Sequence, residues 1–427
     1  MNDATVIVGA GVIGAGIALE LTRRGHDVIV LDKGPAAGHG STAASSAIVR
    51  YTYTTATGTA LAYEGLPYWR SWDEHVRLPP GAQLTRFVEC GMLLLDDGSG
   101  VVGAVRPALD EVGLPYEWWD ADRLVERIPL LTADDHHPPT LPSDDRFWEA
   151  SGRVAGALWT GEAGYVTDPQ LAAQNLADAA TAEGATFRFR SEVTAISVAD
   201  GRVTAVEIAG GDTIPCSVLV NAAGPHSAHV EWLAGVEGGV RTRPLRQQAA
   251  YVHDGSDRLS ALPIVGDLGS GFYIRPELGS GILVGSTEPD CDPRVWVDDP
   301  DELDDQLDRD EFAIQMLRFA RRVPDAGVPH ELRGVVGLYD VADDWKPIID
   351  RSDLDGYFTA IGTSGNQFKN AAIIGFCLGE LVEAVAAGHD HDREPLVVTG
   401  PHHGLAIDLG AFSRRRPVGA GAHGVIG

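Results

Sequence analysis

Three clusters of residues carry functional groups at spacings that suggest a shared chemistry. The first is Gly9-Ala10-Gly11-Val12-Ile13-Gly14, followed at a distance by Asp32 and Lys33. In such a loop the first glycine allows a tight turn and the second lets the backbone approach a pyrophosphate. The third lets a helix pack closely on a strand. The start of that helix offers N–H groups and a positive dipole end to a diphosphate. A carboxylate about 20 residues on, here Asp32, accepts hydrogen bonds from ribose hydroxyls. The second cluster is Ser41, Thr42, Ser45 and Ser46, hydroxyls placed to bind phosphate oxygens or to form an ordinary polar loop. The third is Gly362-Thr363-Ser364-Gly365-Asn366-Gln367-Phe368. This turn either aims N–H groups at developing negative charge or simply caps a helix.

The elements around these clusters support the first reading. Residues 5–8 form a short β-branched run read as a buried strand, 15–24 a helix ended by Gly25, and 28–31 a second buried strand. Strand, glycine turn, helix, strand and acid in that order predict dinucleotide binding, with NAD and FAD both open. Further along, helices are expected at 60–77 (broken by Pro67), 102–112, 169–183 after Asp168-Pro169, and 371–386. Strands are expected at 87–95, 186–189, 193–198, 203–208, 217–221 and 357–361, with alternating patterns at 247–253, 272–275 and 281–284. Residues 132–143 read as an irregular insertion, 298–317 as an acidic helix, and the Gly/Pro-rich tail from 394 as a surface wrap.

Composition narrows the partners. The net charge of −28 and pI near 4.7 oppose binding to nucleic acid or to anionic membranes. Lysine occurs only at Lys33, Lys346 and Lys369; arginine in its place fits a GC-rich gene, and the acid excess also fits high salt. The cysteines, Cys90, Cys216, Cys291 and Cys377, form no CxxC pair or Cys/His cluster, so neither a disulfide framework nor a metal site is expected. The apolar run 6–21 has no basic residue before it and is interrupted by glycines. No membrane span is expected, and a cytoplasmic location is.

The chain resembles the D-amino-acid oxidase superfamily of flavoproteins, in the branch of sarcosine oxidases, dimethylglycine dehydrogenases and glycine oxidases. The residues that carry the likeness are the N-terminal unit with Gly40-Ser41-Thr42-Ala43-Ala44-Ser45-Ser46-Ala47-Ile48-Val49-Arg50, then Gly164-Tyr165-Val166-Thr167-Asp168-Pro169 with the strand opening at Val193. Val218-Leu219-Val220-Asn221-Ala222-Ala223-Gly224-Pro225 and the stretch from Gly337 to Asp350, followed by Gly362 to Asn370, complete it. The resemblance implies FAD, contacted by Gly9, Gly11, Val12, Ile13, Gly14, Asp32, Lys33, Ser41, Thr42, Ser45, Ser46, Val193, Ala222, Gly224, Gly362, Ser364, Gly365, Asn366, Gln367 and Phe368. It also implies a carboxylate-binding pair, Arg50 and Lys369, and a pocket tyrosine, Tyr339; Tyr51, Tyr53, Phe272, Tyr273 and Trp345 are further aromatics for the pocket wall or, for most of them, the core.

Departures matter as much. Gly337 stands where covalent sarcosine oxidases carry a Cys, and Ala43-Ala44 follow Thr42 in place of a flavin-linking His. Non-covalent FAD is therefore expected. The oxygen-activating Lys of sarcosine oxidases falls near Leu283, which leaves oxygen, an electron-transfer protein or a quinone as the acceptor.

The implied fold is an α/β Rossmann-type FAD-binding domain (1–83, 163–239 and 336–395) interleaved with an α+β substrate domain. The latter is built on an antiparallel sheet (84–162 and 240–335), and 396–427 is a tail. The implied reaction is oxidation of the C–N bond of an amino acid or N-alkyl amino acid by hydride transfer to flavin, the imine then hydrolysing. The alternatives are oxidation of a 2-hydroxy acid or glycerol phosphate, and a flavoprotein subunit of an electron-relay complex. His226 and His229 read only as the start of a helix.

Overall fold

The computed structural model describes residues 4–237, 239–253, 257–279, 281–329 and 331–418. Its first strand, Ala4–Val8, is buried along its whole length. It lies between Val28–Leu31 and Thr213–Asn221, and all three run parallel. A parallel strand covered on both faces reads as an unbroken apolar run, which is why these segments show no alternation. Thr186–Arg188 and Tyr357–Ile361 extend the parallel array on either side, and Ile348–Arg351 borders it antiparallel. Val193–Ala199 and Arg202–Ile208 complete this eight-stranded sheet as an antiparallel ribbon leading into Thr213–Asn221. Helix Val12–Arg23 packs against helices Pro169–Ala182 and Ala371–Ala386 on one face.

The second eight-stranded sheet runs in the order Gly334–Ala342, Thr242–His253, Gly281–Ser286, Phe272–Glu277, Ile264–Asp267, Met92–Asp96, Gly156–Thr160 and Glu117–Asp120. Every pair is antiparallel except Ile264–Asp267 with Met92–Asp96. One face is covered by helix Arg309–Arg322, which lays Phe312, Met316 and Phe319 against Phe272, Ile274 and Val284. The chain thus passes from one sheet to the other more than once. The division expected at 336 falls inside Gly334–Ala342, and the pairing of that strand with Thr242–His253 keeps all of it in the second sheet.

Several element expectations need correction. The helix expected at 60–77 runs Ala56–Arg70, with Pro67 inside it, and restarts as Trp72–Val76 after Ser71. Thr55 begins it earlier by accepting a hydrogen bond from the Gly58 N–H at 3.3 Å. The strand expected at 87–95 is two strands, Phe87–Glu89 and Met92–Asp96, separated at Gly91, whose φ is +73°. The helix expected at 298–317 starts only at Arg309, where Asp308 accepts from the N–H groups of Asp310 and Glu311 at 3.0 and 2.8 Å. Before it, like charges from Asp298 to Asp305 and a proline at 300 allow a single short turn, Pro300–Glu302.

The tail is no loose wrap. Val397–Thr399 and Ala406–Asp408 form a hairpin, and Val398, Ile407 and Leu409 join the core beneath helix Ala56–Arg70. Glu64 on that helix is fully buried. Its side-chain oxygens accept the N–H groups of His402 at 2.9 Å, His403 at 3.0 Å and Leu405 at 2.9 Å. Among the described residues no helix is long and apolar enough to cross a membrane.

Candidate active site

A cavity of 510 Å³ opens at the carboxyl ends of the parallel strands and runs under the cavity-facing side of the antiparallel sheet. In open α/β sheets this is where ligands bind. The glycine loop forms one end. Gly9 has φ +107°, and a β-carbon there would stand 2.3 Å from the Ala222 carbonyl oxygen. At Gly14 it would stand 1.9 Å from the Gly9 oxygen. Side chains are excluded from both positions, so the wall is bare backbone. Gly11 caps helix Val12–Arg23 without a side-chain hydrogen bond, and the Val12 N–H meets Thr42 Oγ1 at 3.1 Å. Asp32 is fixed by its own loop: Oδ2 accepts from Ala10 N–H at 2.7 Å and Oδ1 from Gly34 N–H at 2.6 Å. A dinucleotide diphosphate fits this cradle, with Asp32 at the ribose end.

Of the expected cofactor residues, all line the cavity except Gly14, Gly362, Ser364 and Asn366. Gly14 lies under the loop. Gly362 and Ser364 tie the turn at 362–368 to strand Gly334–Ala342. Gly362 N–H donates to Asp340 Oδ2 at 2.6 Å, Ser364 N–H to Asp340 O at 2.8 Å, and Ala342 N–H to Ser364 Oγ at 3.1 Å. Ser364 holds φ +47°, an uncommon conformation for a residue with a β-carbon. Asn366 O accepts from Tyr53 Oη at 3.0 Å.

Tyr273 and Tyr339 reach the cavity; Arg50 and Lys369 do not line it. These two cations meet instead behind the wall, around Tyr53. The Arg50 Cζ lies 4.6 Å and the Lys369 Nζ 4.8 Å from its ring centroid. Lys369 Nζ donates to Tyr53 Oη at 2.6 Å and to Asn366 O, and Arg50 Nη1 donates to Thr52 O. Local oxygens solvate both groups, behind the cavity surface rather than on it. Burial drives the Lys369 ammonium well below its usual range, and the nearby Arg50 charge adds to that. Of the other aromatics considered, Tyr51, Phe272 and Trp345 are core.

The antiparallel end is built by register. Gly337 sits opposite Gln247, Ala249 opposite Gly285, and Gly285 opposite Tyr273. A β-carbon at Gly285 would fall 2.4 Å from the Tyr273 ring, and one at Gly365 2.3 Å from the Tyr339 ring. Each ring therefore lies against a glycine. Burial raises both phenols above their ordinary range, so both stay protonated donors at neutral pH.

Sequence reasoning missed several groups here. Asp340 is buried beside the turn, and desolvation lifts its carboxyl to about 7. His226 Nε2 lies 3.0 Å from Asp301 Oδ1, and Lys33 Nζ also pairs with Asp301, so a clasp joins the two halves of the cavity mouth. His226 is thus more than a helix start. His229, on the same helix, lines the cavity too. Two signals were available: the polar pair Gln247-Gln248 just before the apolar Ala249-Ala250 of one strand, and Ser286-Thr287-Glu288 ending another.

The model of the family described as DAO, FAD dependent oxidoreductase, matches residues 4–381. The chain belongs to that family. Its cofactor is FAD, and it is an enzyme of the oxidoreductase class. It is 25% identical over 388 residues to the glycine oxidase of Geobacillus kaustophilus, covering 90% of this chain and 94% of the relative. It is 29% identical over 297 residues to 4-methylaminobutanoate oxidase (formaldehyde-forming) of Paenarthrobacter nicotinovorans, covering 68% of this chain but only 32% of that longer protein. Among solved structures, L-proline dehydrogenase from P. horikoshii superposes with a TM-score of 0.76 at 20% identity, over 97% of both chains. That likeness concerns the fold.

Proposed function

We propose that the protein oxidises the C–N bond of an amino acid or N-alkyl amino acid, releasing an imine that water hydrolyses. The observation that carries this reading is the pair of buried cations, Arg50 and Lys369, gathered around Tyr53 immediately behind the Gly365–Phe368 wall. The Arg50 guanidinium stays charged, and a carboxylate at that end of the cavity would favour the charged form of Lys369 against the cost of its burial. Bound FAD supplies the hydride acceptor at flavin N5. The chain supplies position: Tyr273 and Tyr339 offer neutral hydroxyls, and the antiparallel sheet excludes water from the reacting carbon. No side chain is required to remove a proton from carbon when the amine is already neutral.

FAD is held without a covalent bond in this reading. Position 337 is glycine, with Ala44 Cβ 2.7 Å from where a β-carbon would stand, and no cysteine is among the described residues lining the cavity. The two sheets are read as an FAD unit interleaved with a substrate unit, a division that strand pairing supports with its last boundary moved past 342. Leu283, on a strand of the second sheet, stands in for the lysine that would activate oxygen, so an electron-transfer protein or a quinone competes with oxygen as acceptor.

The test is an anaerobic absorbance titration of the purified protein with sarcosine, dimethylglycine, proline and 2-hydroxy acids. Bleaching of the flavin band by one of the amines is expected. Bleaching by a hydroxy acid alone, or by none of them, overturns the reading. Readmitting air to the bleached sample then separates oxidase from dehydrogenase, and flavin remaining with acid-precipitated protein would contradict non-covalent binding.

A further inference from the structure

A second cavity, of 430 Å³, is lined by Glu231, Thr242 and the exposed residues Arg241, Arg243 and Asp343, between which it opens to solvent. A row of side chains joins it to the main cavity. Thr242 Oγ1 lies 3.2 Å from Ser227 Oγ, and Ser227 Oγ donates to Asp340 Oδ1 at 3.4 Å. Asp340 lines the main cavity and Thr242 the second, so three side chains cross the wall between them. All three are buried.

Each is held from its own element. Thr242 opens strand Thr242–His253 opposite Ala342, two residues beyond Asp340 on the neighbouring strand. Ser227 begins helix Ser227–Ala234, and its backbone oxygen accepts from Asn221 Nδ2 at 3.0 Å. Asp340 Oδ2 takes the Gly362 N–H at 2.6 Å, which leaves Oδ1 for the serine. A hydroxyl both donates and accepts, so a proton received at one end of such a row is matched by one released at the other.

A mere staple between strand and turn needs an acceptor at 340, which an asparagine would supply without the cost of burying an acid. Desolvation lifts the Asp340 carboxyl to about 7, and it lifts Glu231, at the second cavity, to about 7 as well. Both therefore exchange protons near neutral pH. Neither is paired with a cation among the described residues. The titratable groups that bear on them are each other and Tyr357. Arg241, Arg243 and Asp343 stand at the second cavity, whereas His226 pairs with Asp301 and His229 lines the main cavity.

We propose that Asp340, Ser227 and Thr242 form a proton path from the main cavity to the second, through which the proton shed by the substrate nitrogen leaves the protein. The inference rests on the amine-oxidation reading above. An amino acid arrives as an ammonium. One N–H bond breaks, its electron pair stays on nitrogen, and the proton is taken up by the Asp340 carboxylate. Loss of hydride from the adjacent carbon then gives the iminium, so one proton per turnover has to leave. Asp340 passes it to Ser227, Ser227 to Thr242, and Thr242 to solvent in the second cavity. Ser227 and Thr242 act through Asp340 and touch no substrate.

The first test uses the holoenzyme without substrate, below the titration range of Asp340. The protonated carboxyl then gives an infrared band that is absent from Asp340→Asn, and rapid mixing into D2O shifts the band as the proton exchanges. The shift is expected to be at least about ten-fold slower in Thr242→Val and in Ser227→Ala, and to recover its speed in Thr242→Ser, which returns the hydroxyl. In anaerobic bleaching by an amine, Thr242→Val and Ser227→Ala should show a larger solvent isotope effect than wild type, and Thr242→Ser should not. Flavin content and melting temperature close to wild type identify the variants that fold, and either of the two slowed variants suffices. Unchanged exchange in a folded variant that lacks a hydroxyl overturns the inference, as does slow exchange that persists in Thr242→Ser. If no amine bleaches wild type, the functional reading fails instead, while the exchange measurement, made without substrate, still decides whether the path exists.

Discussion

At the glycine loop the cavity wall is made of backbone, and at the antiparallel sheet it is made of side chains set by register. The loop leaves 1.9–2.3 Å between a hypothetical β-carbon and a carbonyl oxygen at Gly14 and Gly9. It therefore accepts one residue type and binds what any dinucleotide shares, a diphosphate and a ribose. The sheet presents Gln247, Tyr273 and Tyr339 from three strands far apart in sequence. Any of them can change without altering a hydrogen bond of the ladder. One end of the cavity is bound to its cofactor by geometry, while the other is free to vary its substrate.

The sharpest way to break that contrast is at Gly14. Gly14→Ala puts a methyl against the Gly9 oxygen, and overpacking of this kind costs about 1–3 kcal/mol. The flavin-to-protein absorbance ratio of the purified variant is expected to drop by about ten-fold, since the loop must deform where the diphosphate binds. Tyr339→Phe, at the other end, should keep its flavin. Loss of flavin in both would mean that the two ends are not independent.

A smaller effect is expected at Asp340, which joins the sheet to the 362–368 turn. Its folded-state carboxyl titrates near 7 and not in the usual carboxylate range. The folded protein then holds this proton more tightly than the unfolded chain does. The associated stability is complete below about pH 4 and is lost as pH rises through 7. Asp340→Asn keeps an acceptor for the Gly362 N–H and removes the titration. Its melting temperature should gain on wild type by about 2–4 °C between pH 5 and pH 8. A difference constant across that range would show that Asp340 does not titrate there.

The smallest effect belongs to the clasp between the halves. Asp301 is partly exposed, and such pairs contribute about 0–1 kcal/mol. Asp301→Asn is expected to speed FAD release no more than a few-fold at low salt, with the difference gone near 1 M salt. Stopped-flow release into an excess of an FAD-binding apoprotein would measure both.

The same contrast explains what could be read from sequence. Gly9, Gly11, Gly14 and Asp32 lie within one strand–helix–strand unit, so their spacing alone marks them. Most of the residues expected at the cofactor do line the cavity. Gln247, Asp340 and Asp301 have no such local signature. They reach the cavity only through pairing of strands such as 242–253 with 281–286 and 334–342, and through a turn before helix Arg309–Arg322 that the acidic run disguised as helix. Arg50 and Lys369 were legible as a pair, but Tyr53, the ring around which they gather, was legible only as an aromatic of the wall or the core.

The seat of Glu64 has a consequence for how the protein is made. The helix that carries it, Ala56–Arg70, begins three residues after Tyr53, the ring around which the two buried cations gather. Its buried acid has no other hydrogen-bond partner among the described residues than the N–H groups of 402, 403 and 405. On a ribosome adding about 5–20 residues per second, the helix is translated more than 330 residues before those donors exist. Until then the acid stays in water, and the helix cannot settle into its final packing. The region around Tyr53, where Arg50 and Lys369 gather, is therefore among the last parts of the molecule to be finished, although much of its sequence is among the first to emerge.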